Sequence, residues 1–172
     1  MSLLPETRAF LSYLQTNPGV RQQIRAAPGQ TLLYAGSFFK PMWREIEEAK
    51  RRDATLARKE ILPEVLARIR TPDAPQPTLR QYVEAVERQV PWQPDGFTLW
   101  RALSGIFASN AAGAVSFQIG SGVSDQKVFA ATEAAVLARN PKVDETTKDL
   151  LAYYQRCIDR GESTINAGFF SA

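Results

Sequence analysis

The sequence predicts an all-α, predominantly helical fold of about seven to eight helices, with room for one minor two-stranded element. Three observations carry that expectation. Apolar residues recur at helical spacing through most of the chain. The segments they define are bounded by capping residues and prolines. A single stretch, Ala114-Val115-Ser116-Phe117-Gln118-Ile119, alternates apolar and polar with period two, and Thr31-Leu32-Leu33-Tyr34 is its one candidate partner. A chain of 172 residues, 44% apolar and 23% charged, suits a single helical domain over residues 1–172, ending in an irregular tail at 162–172.

Phe10, Leu11 and Leu14 form the apolar stripe of a first helix. Asn17-Pro18 then reads as an N-cap with proline at the first helical position, and Pro28-Gly29 stops the short helix that follows. Phe39, Met42, Trp43 and Ile46 are spaced for a helix, with Glu47–Arg51 and Glu48–Arg52 as acid-first pairs on its outer face. Leu62, Val65, Leu66 and Ile69 make the next stripe, and Pro63 predicts a helix start or a kink there. Residues 71–77 hold three prolines and form a linker.

Thr78 and Gln81 fit a capping box ahead of the stripe Tyr82, Val83, Val86. After a break at 91–95, helical spacing resumes with Phe97, Trp100, Leu103 and Phe107. Ser124 reads as the N-cap of a helix ending near Asn140-Pro141. Asp144 caps a last helix whose stripe is Leu150, Leu151, Tyr154 and Ile158.

Several chemistries are excluded by composition. There is no histidine, so a Ser-His-Asp triad, a Cys-His pair and His-ligated haem or zinc are ruled out. Cys157 is the single cysteine, which precludes an internal disulfide and an all-thiolate zinc site, and points to a reducing, cytoplasmic setting. No metal site, cofactor or catalytic residue is expected. Residues 102–124 are uncharged, but 11 of these 23 are Ser, Gly, Asn or Gln, too polar for a membrane span.

One local pattern points to a ligand. If residues 114–119 form a strand, Gly120-Ser121-Gly122-Val123-Ser124 followed by Lys127 makes a strand, a glycine-rich turn and a helix start. Backbone N–H groups there attract anions, although Asp125 opposes one. Gly120, Ser121, Gly122, Ser124 and Lys127 are therefore candidate anion-binding residues. The region 44–70 carries eight Lys/Arg and six Asp/Glu. Its acids dilute the basic stripe that nucleic acid would require, so nucleic-acid binding ranks third.

Trp92, held between Pro91 and Pro94, and the tail pair Phe169-Phe170 are aromatics outside any stripe. Together with Arg51, Arg52, Arg58 and Lys59 they are the candidate partner-binding residues. The opening Phe10-Leu11-x-x-Leu14-x-x-Asn17-Pro18-x-Val20-Arg21-x-x-Ile24 resembles the helix–Asn/Asp-Pro–helix start of several small bacterial helical domains, including leader segments of modified peptides. It spans about the first 27 residues and implies no function. The leading expectation is a non-catalytic interaction protein, acting through a protein partner or self-association. The alternative is a protein binding a small anionic ligand, or an unfamiliar enzyme, with its site at residues 104–127.

Overall fold

The computed structural model describes residues 2–35, 42–54, 56–119, 132–159 and 168–171. Helices dominate, as the sequence predicts. In order they are α1 (Pro5–Thr16), α2 (Pro18–Gln23), α3 (Met42–Arg52), α4 (Leu62–Arg68), α5 (Leu79–Glu87), α6 (Phe97–Ser109), α7 (Ala134–Arg139) and α8 (Glu145–Asp159). Prolines open α1, α2 and α4, where a missing N–H costs nothing. Pro63 thus marks a helix start. Thr78 caps α5 as expected, its hydroxyl accepting from the Gln81 N–H at 3.2 Å. Asn17 behaves differently: its side-chain amide donates to the Tyr13 carbonyl at 2.8 Å, closing α1 where the sequence suggested a cap on α2. A π-type turn, Trp92–Gly96, feeds α6.

The minor strand element is present and larger than a pair. Strands β1 (Thr31–Ala35) and β2 (Val115–Ile119) run parallel, with Leu33 opposite Phe117. Strand β3 (Gly168–Ser171) lies antiparallel on the far edge of β2. The expectation of an irregular tail at 162–172 therefore needs correction at 168–171, where β2's free edge supplies the backbone partners that a lone strand lacks.

Two glycines prepare the parallel pairing. Gly29 and Gly113 both have positive φ (75° and 73°), and a Cβ on Gly113 would stand 3.0 Å from the Gly29 nitrogen. That close approach lets the Gly29 N–H donate to the Ala112 carbonyl at 2.8 Å, two residues ahead of β1.

Alternation along the strands divides the interior. Leu33, Val115 and Phe117 join the main core with Phe10, Leu14, Val65, Leu66, Leu99, Leu103 and Phe107. Leu32 and Tyr34 turn to the other face, against Ile46 of α3 and Ile61. Of residues 102–124, read as uncharged but too polar to span a membrane, 102–109 belong to α6 and 115–119 to β2. Among the described residues no helix is long and apolar enough to cross a membrane.

Candidate functional site

The carboxyl ends of β1 and β2 lie side by side, with Ala35 opposite Ile119. In sheets with parallel strands this is the end at which ligands bind, because connecting loops and helix starts converge there. Tyr34, next to last in β1, is positioned by the alternation that faces Leu32 toward α3. α6 contributes Trp100 and Ser104, one turn apart on a single flank. Glu133 stands immediately before α7 and is only 6% exposed.

These groups form one electrostatic unit. The Ser104 hydroxyl donates to the Glu133 carboxyl, but burial outweighs that help and pushes the acid up to about 8. At neutral pH Glu133 is therefore mostly protonated and carries an O–H donor. Burial also raises the Tyr34 phenol. The Glu133 charge adds to the rise, ahead of Glu87 and Glu47, and Arg80 works against it. On α5 the Glu87 carboxyl is raised by burial while the Trp100 indole N–H donates to it. Burial thus biases the Tyr34 phenol and the Glu133 and Glu87 carboxyls toward their neutral forms, and a carboxylate–guanidinium pair joins Glu84 and Arg80 (2.9 Å).

The residues singled out from sequence fall in several places. Gly120, Ser121, Gly122, Ser124 and Lys127 lie outside the described residues, as does the helix start expected at Ser124. The strand expected before them is β2, whose last residue, Ile119, pairs with Ala35, the neighbour of Tyr34. Trp92 is 46% exposed, with its ring over Gly96 and edge-on to Phe97 (6.2 Å, 81°). Phe169 and Phe170 belong to β3, opposite Gln118 and Phe117.

Arg51, Arg52 and Arg58 are exposed on the stretch from α3 to α4, and Arg51 donates to the main-chain carbonyl of Glu47. Lys59 is tied to the fold, donating to the Gly29 carbonyl at 2.9 Å. Among the described residues Trp92 and this basic stretch share no hydrogen bond, ring contact or ion pair, and they sit on different connections of the chain.

Sequence reasoning missed Tyr34, Ser104 and Glu133 as a group. One signal was present: Glu133 is the single charged residue between Lys127 and Arg139, set among Ala, Val, Phe, Thr and Leu. A lone acid in such a run is either exposed at a helix face or buried for a purpose. Trp100 packs against the main core, as its helical spacing predicts, and its indole N–H also serves Glu87. No known protein family, curated protein or solved structure matches the chain.

Proposed function

We propose that the protein binds a small, oxygen-rich polar molecule at the carboxyl end of the β1–β2 pair. The observation that carries this reading is the buried Glu133 carboxyl, which accepts from the Ser104 hydroxyl and whose charge reaches the Tyr34 phenol near the end of β1. A buried acid with a single described hydrogen-bond partner costs stability, and such groups concentrate at functional sites. At neutral pH the phenol and the protonated acid are both donors, which suits ligand carboxylate, phosphate or carbonyl oxygens. The residues at 104–127 singled out from sequence belong to this reading.

The test is thermal unfolding of the intact protein against a panel of polar metabolites near pH 6.5. At least one compound should raise the melting temperature, and Tyr34→Phe should reduce that rise while leaving the unliganded fold in place. If no compound shifts the transition, or the rise survives both Tyr34→Phe and Glu133→Ala, the reading fails.

A second reading, association with a protein partner or with itself, is favoured by the half-exposed Trp92 ring. Light scattering on Trp92→Ala probes it, with loss of a complex formed by the parent as the supporting result. Deleting the tail does not probe it cleanly, because Gly168–Ser171 completes the sheet.

A further inference from the structure

α6 has a second flank that the sheet-end site does not use. Leu99, Leu103 and Phe107 are sealed in the core. Ala102, Gly105 and Ile106 instead floor an open groove of about 820 Å³, within the size range of small-molecule sites. Leu11 and Pro18, from α1 and α2, form one side, and Val136 of α7 the other. Gly105 lets the two walls approach: a Cβ there would stand 3.3 Å from the Thr132 methyl.

Charge gives the groove a preference. Arg21 and Arg101 both line it, and no acidic side chain does so among the described residues. Arg21 is fixed in place, its Nη1 donating to the Leu14 and Gln15 carbonyls at 2.8 and 2.6 Å. The Asn110 amide braces the same wall by donating to the Arg21 and Ile24 carbonyls. Arg101 is exposed at the rim and makes no ion pair among the described residues. An apolar trough edged by two guanidinium groups and no carboxylate complements a molecule with a hydrocarbon body and an anionic head.

We propose that this groove binds a medium-chain carboxylate, its chain along Ala102, Gly105 and Ile106 and its head on Arg101. The groove shares no lining residue with the Tyr34–Ser104–Glu133 group, although Gly105 and Thr132 are chain neighbours of Ser104 and Glu133, and the two proposals can fail independently.

Isothermal titration of the intact protein with decanoate tests it, with decanol and decylamine as neutral and cationic counterparts of equal length. Decanoate should saturate at one site and bind more tightly than decanol, with decylamine weakest. Arg101→Gln should weaken decanoate roughly two- to fivefold, as expected for one exposed ion pair. Ser109→Trp, at an exposed position on the groove, should abolish binding with an unchanged melting temperature. Tyr34→Phe should leave decanoate binding as in the parent, which keeps this result distinct from the sheet-end reading. Absence of saturable decanoate binding overturns the proposal. So does decylamine binding as tightly as decanoate, or full binding in a folded Ser109→Trp variant.

Discussion

Beneath the sheet, Phe10, Leu99, Leu103 and Phe107 are fully sealed, and every atom of their side chains is apolar. On another flank the same helix α6 faces a different interior, with Ser104 against Glu133 and Trp100 against Glu87. One helix therefore serves two environments within a few residues. The first returns free energy for every methylene it removes from water. The second spends part of that gain to hold ionisable groups away from solvent. The difference teaches where this chain's sequence is optimised for folding and where another demand operates.

The largest effect that sharpens the contrast comes from the apolar side. Phe107→Ala should remove about 3–5 kcal/mol, since a fully buried ring in a close-packed core leaves a cavity. Chemical denaturation reads the loss, which should be the same at pH 5 and pH 8. A loss under about 1 kcal/mol would mean that the core under the sheet is loosely packed, and the contrast would collapse.

Glu133→Gln addresses the other side. The folded acid titrates near 8 and the unfolded one near its ordinary 4.5. Below 4.5 both states are protonated and the group costs the fold no ionisation energy. As pH rises from 4.5 toward 8 the unfolded chain ionises first, so folding stability falls across that window. The Gln variant has no such titration. It should gain on the parent by a few kcal/mol at pH 8–9 relative to pH 5, as read from denaturation midpoints at each pH. Parallel pH profiles for parent and variant would show that Glu133 is solvated, and the sheet end would then resemble any surface.

Buried polarity is not always functional, and Asn140 makes the distinction measurable. It is 5% exposed and fully employed: its amide donates to Ala108 and Ala111 at 3.0 and 2.8 Å, and its carbonyl oxygen accepts from Lys142 N–H at 3.0 Å. It ties the end of α6 to the end of α7. Asn140→Ala should cost about 1–3 kcal/mol by stranding buried carbonyl groups, with no pH dependence. A loss confined to high pH would assign the sheet-end behaviour to general strain at the α6–α7 junction.

Helix order was legible because the signals are local. Pro18 and Pro63 open helices, Thr78 caps one, and the stripes at Leu62–Ile69 and Tyr82–Val86 are buried. Ion pairing is less legible: Glu64 stands one turn before Arg68 at helix-pair spacing, yet it pairs with Lys50 of α3 at 2.7 Å, while Arg68 pairs with Glu60. Tertiary neighbours outcompete a partner on the same helix whenever they arrive with better geometry.

The strand at 115–119 is visible as alternation, and its one candidate partner, Thr31-Leu32-Leu33-Tyr34, is the strand it joins; what the sequence leaves open is the direction, because a pairing across some eighty residues has no hairpin turn to fix it. The polar group was illegible because no local pattern links its members. Tyr34, Ser104 and Glu133 come from three distant segments, and each reads alone as ordinary.

The smallest effect serves as the reference for the others. Thr78 is a local cap at the start of α5, and its hydroxyl satisfies the Gln81 N–H. Thr78→Ala should cost about 1 kcal/mol, equally at pH 5 and pH 8, because it removes one N-terminal hydrogen bond from α5 and alters no titrating group. α5 also carries Arg80 and Glu87, so the variant reports whether fraying of that helix alone can move the sheet-end groups. If Thr78→Ala flattens the pH dependence as Glu133→Gln should, the polar end is held by the start of α5. If it lowers stability uniformly, the pH window belongs to Glu133 and its burial against Ser104.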